Sequence, residues 1–229
     1  MQETYSRKRA SGVLLPLFSL PGPGGIGCFS DCVCQFARQL SRAGQKYWQI
    51  LPLGVTGFGD SPYQSFSSFA GNPYFIDLHR LFRDELLSAT ELESYDQLFH
   101  NLTRIDYALL YSERLAILRR ASCRFFAQGG DATPAFRDFL TEHQAWLPDF
   151  GLFMTIKARH GGLPWQEWSA ELRDREQAAL HEFLRVNQQE YQHQIWMQFE
   201  FFRQWAELKS YINSLGISVI GDLPIYAAG

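Results

Sequence analysis

The residues best suited to chemistry are hydroxyls, amides and rings gathered in one stretch, Gly54–Asp77, GVTGFGDSPYQSFSSFAGNPYFID. It follows an apolar run, Tyr47–Leu53, with strand character, and a loop at a strand end is where a scaffold places binding groups. Neutral hydrogen-bonding groups beside flat apolar faces suit a polyhydroxylated ligand such as a sugar better than a phosphate. Tyr63 could stack on or hydrogen-bond such a ligand, and Ser61 could fix a hydroxyl. The competing reading is turn chemistry, since Asp60-Ser61-Pro62 is a good turn initiator and the ring of Tyr63 could simply be buried. Residue types alone leave both open. Asp222 follows the apolar run Ile217–Ile220, at the strand end where barrel enzymes place chemistry. A turn or capping aspartate is the competing reading, and composition slightly favours it.

Other constellations are weaker. Gly22, Gly24 and Gly27 match the dinucleotide fingerprint G-x-G-x-x-G between a strand and a helix. Pro21 and Pro23 stiffen that loop, and Pro23 removes a donor from its centre. No acid ends the next strand to hold a ribose, so a tight strand-to-helix turn is the better reading. The six histidines fall at no metal-ligand spacing. Of four cysteines, Cys28, Cys32 and Cys34 are bunched without a matching Cys or His cluster, which points to ordinary packing and a reduced, cytoplasmic compartment. No metal or cofactor is expected.

These side chains need elements to hold them. Val13–Leu20 reads as a buried strand, followed by a turn at Pro21–Gly27. An amphipathic helix starts near Ser30 or Asp31, with Val33, Phe36, Ala37, Leu40 and Ala43 on one face and Gly44 as its stop. Tyr47–Leu53 is the second strand, completing a βαβ unit. From about Arg80 to Gln194 the chain turns polar and helix-favouring. Helices are predicted over Leu102–Arg120, Ala135–Trp146 and Glu176–Gln189, with a loop at His160–Trp168. That is too long for an ordinary connection and reads as a helical insertion. A long helix, Ile195–Leu215, carries Trp196, Phe199, Phe202, Trp205, Leu208 and Ile212 on one face, and Ile217–Ile220 is the third strand. The order predicts a parallel α/β architecture: the N-terminal part of a (β/α)8 barrel, with the insertion between strands two and three. The domain reading is 1–79 for the first two βα units, 80–194 for the insertion and 195–229 for the last helix and strand. Three strands out of eight suggest a truncated protein.

The bulk numbers agree with a globular protein. The chain has 229 residues, 46% hydrophobic and 20% charged, with a net charge of −3. That charge gives no reason to expect nucleic acid, and no apolar run is long enough for a membrane helix. Arg7–Arg9 before Val13–Leu20 resembles a signal peptide only superficially, because the run is short, holds Pro16 and lacks a cleavage pattern. Aromatics reach 15%, including 19 Phe and 6 Trp; most must be core, and an excess is compatible with sugar stacking.

Several segments, in order, resemble the amylomaltases, or 4-alpha-glucanotransferases. They are Ser19–Pro23 with Gly25-Ile26-Gly27, Tyr47–Gly54, Gly59–Ser65 through Asn72-Pro73-Tyr74, His160–Trp165, Phe201–Trp205 and Ile220–Tyr226. The resemblance implies a barrel of the alpha-amylase clan and transfer of alpha-1,4-glucan segments by a retaining double displacement. It implies an aspartate nucleophile, a glutamate acid/base and a stabilising aspartate, all beyond the third strand; no catalytic residue is therefore expected in this chain. Ser61, Tyr63 and Asp222 would line the donor side of the groove. Tyr111 would belong to a secondary glucan site with Phe58, where relatives often have tyrosine. Leu15 departs from the commoner histidine before the proline, which removes a polar contact from the first strand. The implied ligands are alpha-1,4-glucans and maltooligosaccharides. Two other readings are a non-catalytic alpha-glucan-binding module and an aldolase-like barrel; the latter needs a Schiff-base lysine or a phosphate site, and neither is evident.

Overall fold

The computed structural model describes residues 9–57, 59–100 and 102–224. Three short parallel strands, β1 (Gly12–Leu14), β2 (Tyr47–Gln49) and β3 (Ser218–Ile220), form a sheet in the order β1-β2-β3. The register aligns Val13 with Trp48 and Trp48 with Val219. Parallel strands need crossovers. The first is α1 (Asp31–Arg42), which buries Val33, Ala37 and Leu40 and stops where Gly44 takes φ +73°.

The second crossover holds the rest of the molecule. Short helices α2 (Leu78–Arg83) and α3 (Ala89–Leu98) lead to one turn, α4 (Tyr107–Leu109). A π-helical turn, Leu110–Arg114, then feeds α5 (Leu115–Ala127). Next come α6 (Pro134–Glu142), α7 (Leu147–Arg159), α8 (Ala170–Arg173), α9 (Gln177–Val186) and the 27-residue α10 (Gln188–Ser214), which delivers the chain to β3. Local chemistry sets the starts. Ser88 and Glu91 close a reciprocal capping box on α3, and Asp106 accepts from the Leu109 N–H at 3.0 Å. Thr133 caps α6 with Pro134 at its first position.

The order of strands and crossovers follows the sequence reading, and the differences have local causes. Val13–Leu20 pairs in the sheet only through its first residues, because Pro16 has no N–H and Leu17–Ser19 coil into a 3-10 turn. The second strand leaves the ladder after Gln49, although the Ile50 N–H still donates to the Ile220 carbonyl at 3.0 Å. The helix expected from Leu102 begins at Tyr107, after its aspartate cap, and the one expected to reach Trp146 stops at Glu142. The sequence pattern marks no helix over α7, whose Pro148 and Gly151 read as breakers. α10 starts seven residues before Ile195, as its first turns bury polar side chains, Glu190, His193 and Gln194, that break the expected apolar stripe.

One continuous core joins the sheet to the helices, with Trp48, Trp196, Ile117, Leu118, Ile212 and Ile217 all but fully buried. A satellite cluster, Leu152, Ile156, Trp168 and Leu180, ties α7 to α9.

Candidate functional site

Because the three strands are parallel, the loops after β2 and β3 emerge on the same side of the sheet. The loop after β2 is a folded object. It is crossed by antiparallel bridges Gly54–Gly71 and Thr56–Ser65, and the Gly57 N–H donates to the Gln64 carbonyl at 2.8 Å. Asn72 and Asp77 cap the turns that close it. Two glutamines of α10 clamp it from below. The Gln198 side chain accepts from the Gly71 N–H at 2.8 Å and donates to the Gly71 carbonyl at 2.9 Å. The Gln204 Oε1 accepts from the Asp77 N–H at 2.7 Å. A Cβ on Gly71 would lie 2.1 Å from the Phe201 ring, so the loop rests directly on α10.

This frame brings two of the sequence-derived residues together. The Tyr63 hydroxyl donates to the Asp222 Oδ2 at 2.8 Å, across 159 positions of sequence. Asp222 also accepts from the Leu223 N–H through Oδ1, at 2.9 Å. The carboxylate holds the Tyr63 phenol above its usual pKa, mainly through that hydrogen bond. The ring is 43% exposed, so it faces solvent and is not sealed in the core. Ser61 lies two residues earlier in the same turn. Its hydroxyl accepts from the Tyr63 N–H at 3.4 Å, and its carbonyl accepts from the Gln64 N–H at 3.1 Å. Ser61 therefore performs the turn chemistry that one reading assigned to it, and that turn presents Tyr63. Asp60, at φ +55°, has its carboxyl pushed up by partial burial.

Tyr111 lies elsewhere, on the π-turn, 65% exposed. It lines a cavity of about 480 Å³ that neither Tyr63 nor Asp222 reaches. Phe58 lies outside the described residues.

Residue patterns did not flag a buried arginine on that same π-turn. Arg114 is 1% exposed and donates to the Ile76 carbonyl and to the Tyr95 hydroxyl, at 3.1 Å for the latter. Tyr95 in turn donates to the Gly24 carbonyl at 3.4 Å. Arg114 thus ties the loop after β1 to the end of the loop after β2. The glycines matching the dinucleotide fingerprint serve this packing. A Cβ on Gly24, at φ +77°, would fall 2.8 Å from the Tyr95 ring, and one on Gly27 would fall 2.1 Å from the Leu17 carbonyl oxygen. Cys28 beneath them is buried, and burial pushes its thiol up to about 11, which leaves it unreactive at neutral pH. Among the described residues, no three His, Cys, Asp or Glu side chains lie close enough to hold a metal ion, and no helix is long and apolar enough to cross a membrane.

Fold and loops define a mixed α/β protein with a small parallel sheet whose polar, ring-bearing loops share one sheet end, the end where such proteins bind ligands. The chain belongs to the family described as 4-alpha-glucanotransferase, which it matches over residues 15–229. It is 44% identical over 221 residues to the 4-alpha-glucanotransferase of Thermus thermophilus, covering 96% of this chain and 43% of that protein. It is 43% identical to that of Streptococcus pneumoniae, over 97% of this chain and 44% of the relative. The chain therefore spans under half the length of these relatives. Among solved structures, the amylomaltase from Streptococcus agalactiae in complex with acarbose superposes with a TM-score of 0.86 at 40% identity, over 96% of this chain and 44% of that one. The amylomaltase from Corynebacterium glutamicum, 19% identical with a TM-score of 0.66 over 95% of this chain and 30% of that one, shares the fold.

Proposed function

We propose that the protein containing this chain is a 4-alpha-glucanotransferase, moving alpha-1,4-glucan segments between maltooligosaccharides or to glucose by a retaining double displacement in the cytoplasm. In this reading the three strands open a (β/α)8 barrel. Residues 1–79 hold its first two βα units, 80–194 a helical insertion, and 195–229 the helix and third strand, with α10 straddling the second boundary. Retention needs two carboxyl groups roughly 5 Å apart across the scissile bond. In this reading both lie outside residues 1–229, and this chain contributes binding groups: Ser61, Tyr63 and Asp222 along the donor side, and Tyr111 with Phe58 at a second glucan site.

The observation that carries the proposal is the Tyr63–Asp222 hydrogen bond, which joins a carboxylate to a phenol from a second strand end whose own ring is exposed. A sugar hydroxyl can insert between such partners, and the ring offers a stacking face. Family membership and the fold shared with an acarbose-bound amylomaltase support it.

The test is glucose release from maltotriose by the full natural chain and by residues 1–229 alone. The full chain should release glucose, and the shorter one should not, lacking nucleophile and acid. Maltotriose binding by the full chain without glucose release would instead identify an alpha-glucan-binding module. Glucose release by residues 1–229 would overturn the placing of the carboxylates.

A further inference from the structure

The cavity that Tyr111 lines holds one buried polar atom that the described residues leave without a partner. His193, on α10, lines it, is 3% exposed, and has its Nδ1 buried without a hydrogen-bond partner. Such an atom in a native interior marks a missing partner, a water or a ligand group. Its charged neighbours are already engaged. Arg119 of α5 pairs with Glu190, whose other oxygen accepts from the Gln194 side chain at 2.9 Å. Lys157 of α7 donates to the Gly162 carbonyl at 2.9 Å and lies 4.8 Å over the Phe66 ring. The imidazole itself is neutral at physiological pH, as burial and then Arg119 hold its pKa down to about 4 against the pull of Glu190. A neutral imidazole offers one donor and one acceptor, the pair a hydroxyl uses.

The remaining lining mixes apolar and aromatic side chains, including Tyr74 and Phe150, with the neutral polar side chains of Thr56, Asn72, Ser112 and Gln198, and Tyr111 is the exposed ring among them. About 480 Å³ is the size of a small-molecule site. With its cations satisfied internally, the cavity has little to offer a phosphate. We propose that it takes the end of a neutral polyhydroxylated ligand end-on, with Tyr111 at the mouth and His193 hydrogen-bonding a hydroxyl at the floor. Identifying that ligand as a short alpha-glucan rests on the proposed function. The cavity's depth and the role of His193 extend that function, because a glucan merely stacked on Tyr111 would not reach the floor.

The experiment uses the full natural chain labelled with 15N-histidine, with the His193 signals assigned by their loss in His193→Gln. Maltotriose is the ligand, and turnover only interchanges alpha-glucans of the same class. Saturating maltotriose should move the His193 ring nitrogens. Tyr111→Ala should weaken that response about tenfold, the equivalent of one good hydrogen bond or stacking contact. Ala158→Trp, at an exposed helix position on the lining, should abolish it by filling the cavity with the fold intact. Unmoved His193 signals in a protein that still transfers glucan would overturn the inference and leave the function standing. A response to inorganic phosphate and not to maltotriose would overturn the ligand class. A response that survives Ala158→Trp would show that the signal arises outside the cavity, and would overturn it too.

Discussion

Tyr63 and Asp222 are separable by substitution because each does something different for the other. Tyr63→Phe keeps the ring and removes the donor. The group is exposed, so unfolding stability should change by no more than about 0.5 kcal/mol. In the full natural chain, kcat/KM on maltotriose should fall roughly tenfold if the phenol positions the carboxylate for sugar. Equal losses of activity and melting temperature would favour a packing role. Asp222→Asn keeps the shape and removes the charge, and should also lower activity; full activity would remove Asp222 from the site. The glutamines behave oppositely. Gln198→Leu strands a buried N–H and a buried C=O of Gly71, which costs on the order of 2–3 kcal/mol, readable in urea unfolding. Residue types in Gly54–Asp77 marked the loop in advance, because Gly, Pro, Asn and hydroxyls are the residues that fold such a loop. Gln198, Gln204 and Arg114 carry no such mark. Their contacts span 127 positions for the glutamines, and for Arg114 19 to Tyr95 and 38 to Ile76, and a polar residue turned inward reads in sequence like one turned outward.

At the scale of elements, the same cause explains which helices were legible. α1 has one buried face and an open opposite face, so its spacing gives it away. α10 buries Glu190, Gln194, Gln198, Glu200 and Gln204 along with its aromatics, so its stripe is interrupted where it matters most. α3 shows a different dependence, on charge. Glu91 closes the capping box with Ser88 and accepts from Arg124 at 2.7 and 3.0 Å. Arg124, then the Ser88 N–H and hydroxyl, hold its carboxyl down at about 2 against the ordinary 4.5, with partial burial opposing. A carboxyl depressed in the folded state stabilises fully above its unfolded value, and the contribution is lost as pH falls from about 4.5 towards about 2. Solvent screens the pair, since Arg124 is 40% exposed, so the contribution is about 1 kcal/mol. Glu91→Gln should therefore cost about that much at pH 7, and the two proteins should converge in stability near pH 2. A gap that stays constant between pH 7 and pH 2 would mean that the carboxylate's charge contributes nothing.

For the whole molecule, the imbalance between sheet and helices decides how it behaves in solution. Three strands of three residues each hold the topology, while most of the buried apolar surface belongs to helices and to the loops they carry. The helical layer should therefore fold cooperatively around α10 whatever happens at the sheet. β2 is paired on both sides, but β1 and β3 each have a second edge with no strand against it among the described residues. Beside those edges Leu14 is 58% exposed, Ile220 43% and Leu223 77%. An unpaired apolar edge is a template for another chain, and barrels remove the hazard by closing. Residues 1–229 alone should accordingly self-associate between roughly micromolar and millimolar concentration, with helix content unchanged. Leu14→Lys with Ile220→Lys places a charge on each edge, a device natural sheets use against pairing. It should raise the concentration at half-association by at least about tenfold, worth ~1.4 kcal/mol. Sedimentation velocity reads the association and far-ultraviolet circular dichroism the helix. If the double variant associates as strongly as the parent, the contact lies away from the sheet edges. The exposed rings of Phe69 and Trp165 would then be the next surface to charge.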